Sequence, residues 1–218
     1  MAASAANTSE IANLKTDNAL APVNIDATVA KLAAKAPDLN PAVLKLALKA
    51  YNKARKQGYD QKQILSVIDF SIPTNHKSLW IFDLKKDSVL YNTYVAHGKG
   101  SGLSKATHFS NVPGSEASSL GVYVTGNTYY GSDGYSLRLH GLSAGFNDKA
   151  YSRAIVMHGA WYVAPKFVNQ YHRAGRSWGC TAVSKKLAKP VINTVKNGTL
   201  IFAYGNDKNW FAHGPYVA

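Results

Sequence analysis

The chain contains a single cysteine, Cys180, and its neighbours are those a nucleophile needs. It lies in Gly175-Arg176-Ser177-Trp178-Gly179-Cys180-Thr181, downstream of Met157-His158-Gly159. A free thiol titrates near pH 8.5, so an imidazole close by is wanted to hold the thiolate. The same histidine can then protonate a leaving amine. His158 and Cys180 are too far apart along the chain to touch within one helix or strand. They meet only if a strand ending at His158 and a turn carrying Cys180 converge on one rim. Gly179 frees the backbone to turn sharply, and the amides of Gly179 and Cys180 are then placed to face a developing oxyanion. Arg176 lowers the thiol pKa, binds a substrate carboxylate or simply stays at the surface. Trp178 lines a substrate groove or packs like any other tryptophan. The competing reading of the bare pattern is a core histidine and an inert buried thiol.

Other chemistries find less support. One cysteine excludes an internal disulfide and any multi-cysteine zinc site. His76, His97, His108, His172 and His213 show no metal-ligand spacing, so neither a catalytic metal nor a cofactor is expected. The run His97-Gly98-Lys99-Gly100-Ser101-Gly102 lacks the spacing of a phosphate loop and reads as a mobile surface loop.

Several strands must position these residues. Runs of strand-forming residues occur at Ser78–Leu84 and Ser88–Val95, joined as a hairpin through Lys85-Lys86-Asp87. Others follow at Leu120–Thr125, Ser136–His140, Ala154–His158 and Thr199–Tyr204. Upstream, Asn40-Pro41 opens a helix that runs to about Gln57, with Gly58 just past its end. Its apolar stripe is Val43, Leu44, Ala47, Leu48, Tyr51 and Ala54. Asp60 is expected to cap a second short helix containing Ile64 and Leu65, and Ser184 a last one broken or offset by Pro190. Residues 1–36 read as a flexible lead with a weak helix near Asp26–Lys35. The remainder, 37–218, is one domain with a helical part over about 37–66.

Charged residues are only 17% of the chain and hydrophobic residues 46%, so a packed core is affordable. No apolar run is long enough to span a membrane. The net charge of +13 suits a polyanionic partner such as nucleic acid, anionic lipid or cell-wall polymer. The basic residues are dispersed and form no reader motif, so nucleic acid is not expected as a partner.

The pattern His158-Gly159, then Ser177-x-Gly179-Cys180, resembles the active-site signature of the YkuD-like L,D-transpeptidases. Trp178 stands where a second histidine is usual there, and Ala182 where an arginine is usual. Those departures point to the divergent murein L,D-transpeptidase catalytic domain branch, which similarly shows a Gly-Arg-Ser-x-Gly-Cys core. The likeness extends through Phe109-Ser110-Asn111, Ser118–Tyr123, Ser136–Leu142, Asn147-Asp148, Arg153–Gly159 and Tyr162-Val163.

The resemblance implies an α+β, β-rich fold: an antiparallel sandwich or barrel-like catalytic domain with N-terminal helices. It implies that Cys180 attacks the L,D bond of a peptidoglycan stem peptide while His158 acts as base and then acid. Ser177 would orient His158, and His140 would be a second imidazole binding substrate or else a structural histidine. Arg153 and Tyr162 read as structural. Peptidoglycan places the protein in the periplasm or cell envelope, with a signal peptide removed. Two alternatives stay open: an L,D-carboxypeptidase or endopeptidase using the same site, and a non-catalytic wall-binding module. The oligomeric state is not legible.

Overall fold

A computed structural model describes residues 9–218. Its first long helix after the lead, α2 (Pro41–Lys56), follows the short α1 (Ile25–Ala33). Asn40 caps α2 by accepting from the Ala42 amide, and Pro41 sits where a missing N–H costs nothing. Gly58, at φ +90°, ends it. The stripe from Val43 to Ala54 is buried and packs against β1 (Ile64–Asp69) and β8 (Leu200–Tyr204).

Strand β1 replaces the short helix expected after Asp60. Asp60 adopts a positive φ, and its carboxylate accepts from the Lys62 and Gln63 amides, which turns the chain into an extended run instead of capping a helix. The expected hairpin is β2 (Leu79–Asp83) and β3 (Ser88–Thr93). Strands β4 (Gly121–Gly131) and β5 (Gly134–Gly141) form a second, longer hairpin. Then come β6 (Val156–Ala160), α3 (Pro165–Tyr171), β7 (Thr181–Ser184), α4 (Lys185–Val195), β8 and α5 (Lys208–His213).

Among the described residues eight strands make one sheet in the order β3-β2-β1-β8-β4-β5-β6-β7. Just past β3, Ala96 bridges Ala182 of β7, so the two ends of the sheet nearly close into a barrel. The sheet is mostly antiparallel, as expected, but β1 pairs β8 and β6 pairs β7 in parallel. A parallel neighbour needs a crossover, and residues 161–180, carrying α3, supply it between β6 and β7. Helix α4 lies on β5, β6 and β7 and keeps Pro190 inside it.

The flexible lead expected over 1–36 falls in part on residues 1–8, outside the described residues. From residue 9 onward the chain is held on α2 and the sheet. Arg55, itself buried, donates to the Ala21 carbonyl, Asn52 exchanges two hydrogen bonds with Val23, and Glu10 accepts from the Asn127 amide. No helix among the described residues is long and apolar enough to cross a membrane.

Candidate active site

The parallel pairing of β6 with β7 brings the thiol and the imidazole together. His158 is registered with Ala182, and Cys180 lies two positions before Ala182. Registered residues of a pair share a face, and side chains alternate along a strand, so Cys180 and His158 project to the same side. Two residues along the strand and one strand across put their Cα atoms roughly 8 Å apart, within convergence of the two side chains. Both line one pocket of about 450 Å³, together with Asp133, Arg153, Tyr162 and Trp178.

The turn before β7 is built tightly. Ser177 Oγ donates to the Cys180 carbonyl at 2.7 Å and accepts from the Gly179 amide at 3.2 Å. Gly179 has φ +110°, and a Cβ there would come within 2.8 Å of the Ala117 carbonyl oxygen, so only glycine fits. Two expectations change here. Ser177 braces the turn before Cys180 instead of orienting His158, because its hydroxyl is bonded inside that turn. The Gly179 amide, one of the pair expected to face an oxyanion, donates to Ser177 Oγ instead.

Behind the turn, the segment after β3 is knitted to it. Ser177 N donates to the His97 carbonyl and Lys99 N to the Ser177 carbonyl. Gly98 and Gly100 pack on the backbone of residues 115–117, where a Cβ would clash. The loop read as mobile is therefore stitched to the 110–119 segment, with buried Ser101 and Ser118 hydrogen-bonded to it. Arg153 holds that segment with four hydrogen bonds, to Ser110, Ser115, Ala117 and Ser119. Its guanidinium also lies near Gly179, so the structural role read for it serves the site.

Burial pushes the Cys180 thiol up, and the Asp133 carboxylate acts in the same direction. A backbone hydrogen bond from Val156 and the Arg153 charge pull it down without reversing the shift. The thiol donates weakly to the carbonyl of Ala154, which holds a left-handed φ of 54° beside it. Burial thus works against the thiolate expected from the His158 pairing. The Arg176 guanidinium goes to the Lys99 and Gly102 carbonyls at the pocket rim and is not among the causes of the thiol's shift.

His158 is 5% exposed, and its Nδ1 is buried with no hydrogen-bond partner among the described residues. The nearest carboxylate oxygen is Asp133 Oδ1 at 3.9 Å, too long for a hydrogen bond but within ion-pair range of a protonated ring. Asp133 is the site residue that sequence reading missed. It sits in the two-residue turn Ser132-Asp133 between Gly131 and Gly134, where Asp-Gly is ordinary hairpin chemistry and signals nothing else. Tyr162, also read as structural, lines the pocket with its phenol pushed up to about 12 by burial, with the Cys180 and Asp133 charges adding to it.

His140 stands apart. It is fully buried in β5, stacks on Tyr151 with ring centroids 5.0 Å apart and lies 3.4 Å from Glu10. It does not line the pocket, so the substrate contact expected of it is replaced by packing. Trp178 is 73% exposed at the rim, with the Lys99 ammonium 5.4 Å from its ring centre. Among the described residues no cluster of three or more His, Cys, Asp or Glu side chains is arranged to hold a metal ion.

A parallel strand pair thus brings Gly179-Cys180 and His158-Gly159 beside one pocket, set in a nearly closed, β-rich sheet. The family model described as L,D-transpeptidase catalytic domain matches residues 35–204, and the chain belongs to that family. It is also similar to solved structures. One is an L,D-transpeptidase from Mycobacterium smegmatis, 14% identical over 66% of this chain and 59% of that one, with a TM-score of 0.41. The L,D-transpeptidase of Stackebrandtia nassauensis is 12% identical over 90% and 98%, with a TM-score of 0.39. The helical cell shape determining protein Pgp2 of Campylobacter jejuni is 14% identical over 69% and 50%, with a TM-score of 0.43. This chain thus spans less than two thirds of the Mycobacterium smegmatis structure. The comparison with curated proteins finds no match.

Proposed function

We propose that this protein is a peptidoglycan L,D-transpeptidase working through a Cys180 thioester. The observation that carries the reading is the shared face of Cys180 and His158 in one pocket, in a chain of the L,D-transpeptidase catalytic domain family. In the first half-reaction His158 takes the thiol proton as Sγ attacks the carbonyl of the L,D bond. The Cys180 amide stabilises the oxyanion. The C–N bond breaks, the departing amine receives the proton from His158, and a thioester remains. In the second, an acceptor amine gives a proton to His158 as its nitrogen bonds to the carbonyl carbon. The C–S bond breaks and the proton returns to sulfur. Burial disfavours the thiolate, and in this reading the proton moves to His158 during attack. The substrate lies outside the cytoplasm, so we place the protein in the cell envelope, where its net charge of +13 suits an anionic wall.

The test is mass spectrometry of tetrapeptide muropeptides incubated with the protein and with Cys180→Ala. Cross-linked dimers made only by the unmodified protein are expected. Loss of the terminal D-residue without dimers would make it a carboxypeptidase, and no reaction in either sample would leave a binding module.

A further inference from the structure

The crossover that carries the nucleophile leaves a row of aromatic rings in solvent. Residues 161–180 depart from β6 through a short turn at Trp161–Val163, form α3 and return to β7. Their branched aliphatic side chains, Val163 and Val168, are buried and anchor the segment. The rings are not. Trp161 is 63% exposed and Tyr171 51%, with Phe167 half-buried between them. Phe167 and Tyr171 lie one turn apart on α3 with ring centroids 4.5 Å apart, and Trp161 meets Phe167 edge-on at 5.4 Å. Tyr162 continues the row, 5.8 Å from Trp161. Its inner end reaches the site. Tyr162 lines the Cys180 pocket, and Trp161 and Tyr162 also line an adjoining hollow of about 460 Å³ beside His158.

The row is fixed in place before anything binds. Gly175 N donates to the Tyr162 carbonyl at 2.7 Å, closing the crossover into a loop, and a Cβ at Gly175 would strike the Tyr162 side chain. His172, at φ 53°, ends α3, and the Ala174 amide ties the return path to Thr74. Rings held this way lose little conformational freedom on contact. A cluster of exposed aromatic side chains on such a scaffold marks a contact surface. The charge around it narrows the partner. Residues 161–180 contain no Asp or Glu but carry Lys166, Arg173 and Arg176, and Asn169 and Gln170 are exposed. Apolar plates spaced by cations and amides suit a sugar chain bearing carboxylates, which turns C–H faces to the rings and hydroxyls to the amides.

We propose that this aromatic row is a glycan-binding surface, which holds the sugar strand from which a stem peptide hangs while the stem reaches the Cys180 pocket. The inference rests on the transpeptidase reading for the identity of the polymer and adds the part of it recognised outside the pocket. Trp161 and Tyr171 stack on sugar faces, and the cations hold the carboxylates of neighbouring stems. A stem cut free of its sugar lacks this contact and is the poorer substrate.

Stem-free glycan strands, made by amidase digestion of peptidoglycan, separate this contact from the chemistry. Titrated into Cys180→Ala protein, they are expected to shift the Trp161 indole N–H and the amides of residues 161–173 in NMR spectra. Trp161→Ala/Tyr171→Ala should weaken that binding by about tenfold or more, and Trp161→Phe/Tyr171→Phe should keep most of it. In protein with its cysteine intact, the alanine pair should raise KM for glycan-linked tetrapeptide stems several-fold more than KM for the free tetrapeptide. No shift at the rings, equal binding by the alanine pair, or equal KM changes on both substrates would overturn the proposal. So would a concentration-dependent dimer in sedimentation that the alanine pair abolishes, which would give this face to a second copy of the chain. Failure of the transpeptidase reading shows differently, as no thioester on Cys180 while the strands still bind.

Discussion

The molecule holds two His-Gly pairs on neighbouring strands, His140-Gly141 at the end of β5 and His158-Gly159 within β6. In both, glycine is required by a close approach: Gly141 by the Asn147 carbonyl, Gly159 by the first turn of α4. In both, the imidazole is buried. One ring is closed in by Tyr151, Glu10 and the Gly126 bulge, while the other keeps a face in two hollows beside a thiol. Residue type and local context are thus the same, and what packs on each ring decides whether it serves the core or the chemistry.

Swapping the damage between the two histidines should give the largest contrast. His158→Gln is expected to lower cross-linking by about 10²–10⁴-fold, measured by steady-state product formation, with the melting temperature little changed. If that variant stays active, His158 is not the base and the comparison collapses. His140→Ala should do the reverse: it empties a buried site and costs about 2–4 kcal/mol in denaturant unfolding, while the rate per folded molecule holds. A rate loss without a stability loss would return His140 to the site.

The buried His140 ring should also make stability depend on acidification. Burial depresses the His140 pKa, and that of His97 as well. The unfolded chain then takes up protons below about pH 6.5 that the folded one refuses, so this stability is complete above that pH and is lost as pH falls toward the depressed value. Thermal unfolding from pH 7.5 to 5 should show a steeper decline for the unmodified protein than for His140→Ala. Equal slopes would mean that His140 is not held neutral.

The smallest effect concerns Asp133, which faces His158 across 3.9 Å and raises the Cys180 thiol. Asp133→Asn should move the midpoint of iodoacetamide alkylation of Cys180 to lower pH. The change should be a few-fold in rate at most, because the carboxylate is half exposed and screened. The same variant should slow turnover, since the imidazolium formed in the reaction loses its counter-charge. Faster alkylation with unaltered turnover would confine Asp133 to tuning the thiol.

Against this contrast, the legible part of the sequence was chemistry written in residue types. A single thiol after a glycine, a His-Gly upstream and the strand-like runs carried both the family and the β-rich fold. What escaped depends on partners distant in the chain. The β6–β7 register comes from a four-residue strand too short to show a period. Ser177 looked like a partner for imidazole because nothing local reveals that its hydroxyl bridges Cys180 and Gly179. Asp133 hid in a turn that needs an aspartate for no further reason, and β1 passed for a helix because Asp60 is a plausible cap in either case.

The bridge from the end of β3 to β7 has a consequence for timescales. Ala96 N donates to Ala182 O, and the exchange between Ser177 and residues 97–99 continues that seam on the side of β7 away from β6. The strand behind the nucleophile is therefore flanked on both edges, although it ends the sheet order. An end strand would normally fray first and exchange its amide protons fastest. Here the amides of residues 181–183 should be among the slowest to exchange, so the sulfur rides on a stiff anvil.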